Sequence, residues 1–172
     1  MERNNGGGSF IAGFAGKNTM KGENKMIKIY TDGSCQPNPG IGGWAYIIVS
    51  NGEEVGRASG QSIANTTNNR MELLAVIKAL ETLPSGDYEV VSDSKYIIQT
   101  LNQGWKINAN PDLWIELDRL SRGKNILWTH IRGHGDDKWN ALVDLLARAE
   151  VVRAATREFI PLYREVLEKL GD

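Results

Sequence analysis

Three scarcities narrow this chain before any motif is considered. It has one cysteine, Cys35, in 172 residues, so no disulfide can close within it. That suits a reducing compartment, and the cytoplasm is the expected location. No apolar run approaches the ~20 residues that a membrane-spanning helix needs. Positive charge is not in excess either, since the formal net charge is -1. Bulk electrostatic attraction to phosphates, which comes from lysine and arginine, is therefore excluded as the basis of nucleic-acid binding. Any such contact has to be local and assisted by a bound cation.

The apolar content is sufficient for one domain of ordinary size, and a monomer is the expectation. Residues 1–25 are rich in glycine and asparagine with no steady hydrophobic period. They read as a flexible lead, without the continuous apolar stretch of a secretory signal. Alternation over residues 26–31 predicts a first strand. The run from Asp32 to Gly40 then supplies dense turn chemistry, a preshaped loop whose backbone amides could approach phosphates. Strand character resumes over residues 44–49, and a third strand near residues 54–60 follows the Asn51-Gly52 turn signal. Close-spaced apolar residues predict a buried helix over 71–83, stopped by Pro84-Ser85-Gly86. A short strand at 88–92, helices at 94–101 and 111–120, a strand at 126–130 and a long helix from about residue 137 complete the order βββαβααβα. That order implies an α/β fold, a mixed five-stranded sheet flanked by helices.

Residues 26–150 are read as the folded domain and 151–172 as a C-terminal helical extension. Val152, Ala155, Phe159, Leu162, Val166 and Leu170 follow one another at three- and four-residue steps, an amphipathic stripe read as core packing rather than as a partner site. Pro161 is expected to kink this segment or to start a new helix.

Four acids stand in contexts suited to chemistry: Asp32 and Asp93 at the ends of strand-like runs, Glu72 and Asp144 near the starts of helix-like runs. Each also has a purely structural reading. Asp32 before Gly33-Ser34 can end a strand as an Asx-turn. Glu72 can complete a capping box with Asn69, and Asp93 can cap the following helix. Asp144, beside Val143, Leu145 and Leu146, can be a solvated group or an ion-pair partner. Carboxylates gathered together repel and raise one another's pKa unless a cation lies among them, and oxygen-only ligands select a hard ion such as Mg²⁺ or Mn²⁺. His134 sits in the loop Arg132-Gly133-His134-Gly135, where an imidazole suits proton transfer. Asn68 and Asn69 offer amides for sugar hydroxyls and base edges. Lys95 can pair with Asp93 or with phosphate. Pairing Cys35 with His134 would make a cysteine hydrolase, although nothing near Cys35 lowers its pKa.

At Tyr30-Thr31-Asp32-Gly33-Ser34-Cys35, Asn38-Pro39-Gly40, Thr67-Asn68-Asn69-Arg70-Met71-Glu72, Ser92-Asp93-Ser94, Arg132-Gly133-His134 and Asn140 to Asp144, the chain resembles type 1 ribonuclease H over about residues 26–150. The resemblance implies a ribonuclease H-like fold and an endonuclease acting on the RNA strand of an RNA/DNA hybrid. Asp32, Glu72, Asp93 and Asp144 would be the metal ligands, and His134 would assist product release or proton movement. Cys35, Asn38, Asn68 and Asn69 would line the hybrid groove, with Thr67 as a DNA-phosphate contact. The reaction implied is a two-metal-ion hydrolysis with Mg²⁺ or Mn²⁺, leaving 5′-phosphate and 3′-hydroxyl ends.

Departures from the family pattern are local. The long basic protrusion of many bacterial members is missing, because Gly104 to Asn110 passes almost directly to the next helix with Lys106 its sole charge. Trp105, stacking on a sugar or base, would carry more of the substrate contact. Lys95 stands where family members often have glutamine. Two rivals use the same fold: a DNA-cutting nuclease, and a hybrid-binding module that has lost catalysis. The asparagine pair and the loop after Asp32 argue against the first, and the presence of all four acids against the second.

Overall fold

In the computed structural model, the described residues are 26–104, 106–133 and 136–170, with the side chains of 63, 64 and 158–170 not described. The elements run β1 (Ile27–Gln36), β2 (Gly40–Ser50), β3 (Glu53–Thr66), α1 (Asn68–Glu81), β4 (Gly86–Ser92), α2 (Lys95–Gln103), α3 (Pro111–Ser121), β5 (Lys124–His130) and α4 (Lys138–Leu170). The strands form one sheet in the order β3-β2-β1-β4-β5. β1, β2 and β3 pair antiparallel, whereas β4 lies parallel to β1 and β5 parallel to β4. This is the element order expected from the hydrophobic pattern.

Side-chain alternation along the central strands sends successive residues to opposite faces. Ile29, Tyr46 and Val90 pack with Leu73, Val76, Leu80, Ile97, Trp114 and Leu117 on the side of α1, α2 and α3. Their neighbours Tyr30, Ile47 and Val91 pack with Val143 and Ala147 of α4 on the other side. The sheet is thus buried on both faces, and each fully buried Ile or Leu contributes about 1.5–3 kcal/mol.

Two expectations and two of the alternative structural readings need correction. β1 does not stop before Asp32. Its ladder with β2 continues through Asp32↔Ala45, Ser34↔Gly43 and Gln36↔Ile41, so only residues 37–39 form the turn. The small residues of β2 let the two strands stay paired where turn-forming residues alone would predict a loop. The α1 cap is Thr67, whose hydroxyl accepts from the Arg70 amide at 3.3 Å. Glu72 is therefore inside the helix and not half of a capping box with Asn69. Likewise Ser94, and not Asp93, caps α2. Finally, α4 runs continuously through position 161 to Leu170, so Pro161 does not start a new helix. A proline removes one helical hydrogen bond and crowds the preceding turn, but helix-forming residues flank it on both sides.

The stripe read as core packing is overturned at its first member. Val152 is 64% exposed, while Val143, Ala147, Val151 and Ala154 face the sheet. Their three- and four-residue spacing fixes the inward face of α4 and turns position 152 outward. The glycine-rich lead, Trp105 and His134 lie outside the described residues.

Candidate active site

Parallel strands β1 and β4 pair as far as Tyr30↔Val91. Asp32 on β1 and Asp93 after β4 stand just beyond that last pair, at the carboxyl ends where open α/β sheets gather ligands. Helix α1 delivers the third acid. Gly33 permits this, since a Cβ there would lie 2.1 Å from the Glu72 backbone nitrogen. With no side chain between them, strand and helix backbones touch, and the Asp32, Glu72 and Asp93 carboxylates come within 4.8 Å of one another.

Asp32 and Glu72 are each buried to 7% exposure. One Asp32 oxygen accepts from the Gly33 amide at 2.8 Å. Burial first, and then the Asp93 and Asp144 carboxylates, push the Asp32 pKa up to about 7 against the pull of that amide. Asp144, on α4, thus adjoins Asp32 while standing outside the three-way cluster, and it is ion-paired with Arg148 one turn on. Burial, followed by the charges of Asp32 and Asp93, holds Glu72 well above the usual carboxylate range. Its Oε1 accepts from the Asn68 side-chain amide at 3.1 Å. Its Oε2 is sealed from solvent with no hydrogen-bond partner.

An orphaned, buried carboxylate oxygen beside two other carboxylates is costly unless a cation completes it. The donors are all oxygen, as a hard divalent ion requires. The residues present therefore fit a metal site.

The flanking residues fall into distinct roles. Asn38, exposed in the β1–β2 turn, accepts from the Asn68 backbone amide at 3.2 Å. A chain of hydrogen bonds thereby links that turn through Asn68 to Glu72. Asn69 is exposed on the first turn of α1, and Lys95 is exposed at the start of α2. The Cys35 thiol is turned inward, against the Pro37 and Thr66 carbonyls at 3.2 and 3.3 Å. Burial raises its pKa, which makes it a poor nucleophile. Its side chain braces the turn against the end of β3.

Other supports were not foreseen from the sequence. Asp137 caps α4, its Oδ1 accepting from the Trp139 and Asn140 amides at 2.9 and 3.0 Å. Its other oxygen accepts from the Tyr30 hydroxyl at 3.4 Å. Burial and then Asp137 push the Tyr30 pKa up to about 12. This contact fixes the start of α4, and hence Asp144, relative to β1. An aspartate just before an apolar helical run signals a cap, but its strand partner is a tertiary fact.

The RNase H family model matches residues 24–152 of the chain. The chain belongs to the RNase H family. It is 39% identical over 147 residues to the ribonuclease H of Caldanaerobacter subterraneus subsp. tengcongensis, covering 77% of this chain and 95% of that protein. Against the ribonuclease H of Thiobacillus denitrificans it is 41% identical over 144 residues, covering 75% and 95% respectively. Among solved structures it resembles LC11-RNase H1, isolated from compost and solved in complex with an RNA/DNA hybrid. That match has a TM-score of 0.66 at 26% identity, covering 75% of this chain and 99% of the other. RNase H1 of the archaeon Halobacterium salinarum matches with a TM-score of 0.65 at 27% identity, covering 74% and 98%. As an RNase H, the chain is a nuclease whose acid cluster fits a metal site. Among the described residues, no helix is long and apolar enough to cross a membrane.

Proposed function

We propose that this protein cuts the RNA strand of RNA/DNA hybrids internally, leaving 5′-phosphate and 3′-hydroxyl ends, with Mg²⁺ bound and Mn²⁺ able to replace it. The observation that carries this reading is the convergence of Asp32, Glu72 and Asp93 within 4.8 Å, with Asp144 beside Asp32. In support, a family member of the same fold was solved with an RNA/DNA hybrid.

Asp32, Glu72, Asp93 and Asp144 hold the divalent ions. Two such ions would neutralise the scissile phosphate and supply Lewis-acid activation of the attacking water. Glu72 acts from a buried position, with Asn68 donating to one oxygen, so its charge is screened little by solvent and its other oxygen is left for a cation. The Asn38–Asn68 link sets the edge of the groove, where Asn68 and Asn69 meet the RNA minor groove. Contacts to 2′-hydroxyls there select RNA over DNA. Lys95, exposed beside the cluster, meets a phosphate or sugar. Thr67 contributes to the DNA-phosphate track chiefly by ordering the start of α1, and Cys35 by bracing the turn that carries Asn38. His134 and Trp105 keep the roles implied by their sequence positions, proton movement with product release and stacking on the substrate.

The test uses three duplexes, RNA/DNA, RNA/RNA and DNA/DNA, each labelled on either strand and incubated with Mg²⁺. Cutting confined to the RNA strand of the hybrid, with fragments extendable by a polymerase from their 3′-hydroxyls, is the expected result. Equal cutting of DNA/DNA would instead assign the site to a DNA nuclease.

A further inference from the structure

The first turns of α1, α2 and α3 are joined through one hydroxyl outside the acid cluster. Tyr96, the second residue of α2, donates that hydroxyl to the Ala109 carbonyl at 3.1 Å. The same oxygen accepts from the Trp114 indole N–H at 2.9 Å and from the Asn110 side-chain amide at 3.3 Å. With one bond donated and two accepted, the hydroxyl has no capacity left. The Tyr96 ring also meets that of Trp114 edge-on, with centroids 5.6 Å apart.

Asn110 carries the link onward. Its Oδ1 accepts from the Arg70 guanidinium at 3.3 Å, and Arg70 grips Asp112 through bonds of 3.1 and 2.7 Å. A two-pronged bond of this kind fixes orientation, although at such exposure it adds little stability. Arg70 lies in the first turn of α1 and Asp112 in that of α3.

The state of Asn110 shows that this junction is maintained at a cost. An asparagine at a helix start ordinarily turns its side chain onto the free amides of its own helix. Asn110 makes no such bond to α3, and its backbone is left-handed, with φ at 56°. Its amide is instead divided between Tyr96 and Arg70. The cap is given up for a fixed connection between helices.

That connection holds both banks of the groove and none of the acids. Residues 104–110, which carry Trp105 and Lys106, end at Asn110, and Arg70 directly follows Asn68 and Asn69. Asp32, Glu72, Asp93 and Asp144 take no part in it, and the Asp32–Glu72 approach rests on Gly33. In a chain of net charge -1, affinity for a duplex cannot come from bulk attraction. It depends on a few contacts held in advance at the right spacing.

We propose that Tyr96 is a positioning residue for the substrate: its hydroxyl, acting through Asn110 and Arg70, holds the 104–110 segment and the first turn of α1 at one spacing. This inference rests on the hybrid-cutting reading above, and adds to it a device that sets affinity separately from turnover.

The test compares the full chain with Tyr96→Phe, Asn110→Ala, the double variant and Tyr88→Phe. Tyr88→Phe is the control, since it too loses a hydroxyl bond, to the Pro84 carbonyl at 3.0 Å, near the end of β4 away from the acids. For each protein, KM and kcat are measured on an RNA/DNA hybrid with Mg²⁺, hybrid Kd by fluorescence anisotropy in EDTA, and stability by urea midpoint. Tyr96→Phe keeps its ring against Trp114 and is expected to raise KM and Kd by about fivefold or more, with kcat within about twofold of wild type. Asn110→Ala should do at least as much, and the double variant should fall well short of the product of the two effects. Tyr88→Phe should lose stability and leave KM and Kd unchanged. A Tyr96→Phe protein with KM and Kd within about twofold of wild type would overturn the inference while hybrid cutting stands. So would a loss confined to kcat, or effects that multiply in full in the double variant. A wild type that neither binds nor cuts the hybrid would overturn this inference and the reading beneath it together.

Discussion

Gly33 on β1 lies directly against the backbone of Glu72 on α1, with room for nothing larger than hydrogen between them. Two of the clustered carboxylates owe their separation to this contact. Gly33→Ala would force a Cβ into backbone atoms that cannot swing aside, and is expected to destabilise the protein by roughly 3 kcal/mol. It should also widen the Asp32–Glu72 gap, so urea melts and Mn²⁺ titrations should fail together. A variant of wild-type stability would show that the strand and helix are not in contact.

The acid cluster makes stability fall as pH rises when no divalent ion is present. Asp32 has its folded pKa raised from 3.8 to about 7, and Glu72 is raised in the same sense. Between those values the native state binds more protons than the unfolded chain, so the slope of unfolding free energy against pH is negative. In EDTA, the melting temperature should decline from about pH 5 to pH 8, and Glu72→Gln should melt at least about 2 °C higher than wild type at pH 8. Added Mg²⁺ should restore the wild type and leave the variant nearly unchanged. A wild type in EDTA that gains stability over this range would contradict the raised values.

Thr67 is a cap before it is anything else. Its hydroxyl accepts from the Arg70 amide, so Thr67→Ala should cost about 1 kcal/mol of stability, and Thr67→Ser should recover most of it. If instead the hydroxyl served only as a phosphate contact, denaturant midpoints would be unchanged and KM alone would rise.

Cys35 offers a test against nucleophilic thiol chemistry. Its single S–H lies within reach of two carbonyls and its pKa is raised, so Cys35→Ala should lose some stability while keeping turnover within about fivefold. Turnover reduced by a factor of about a thousand would place the thiol in the reaction.

The order of strands and helices was legible because it rests on local periodicity and punctuation: alternation at Ile27, Ile29 and Thr31, the Asn51-Gly52 turn, and Pro84-Ser85-Gly86 after α1. What escaped depends on partners distant in the chain. β1 continues past Asp32 because β2 offers Gly42 and Gly43 opposite Cys35 and Ser34. The inward face of α4 is set by where Val143, Ala147 and Ala154 meet the sheet, which left Val152 outside although its spacing suited a core. The inward turn of the Cys35 thiol needed the Thr66 carbonyl, which no local pattern reveals. The four acids were visible one by one, each with an ordinary structural alternative. Only the resemblance to a family grouped them before the fold brought Asp32, Glu72 and Asp93 together.

The most direct test of the central claim, that these carboxylates hold the ions that drive hydrolysis, is cleavage of an RNA-labelled hybrid by wild type and Asp93→Asn, each with Mg²⁺ and with EDTA. The account predicts cutting by wild type with Mg²⁺ alone, and loss of at least about a thousandfold in the variant while its fold is intact. Cutting that persists in EDTA, or an Asp93→Asn protein as active as wild type, would contradict it.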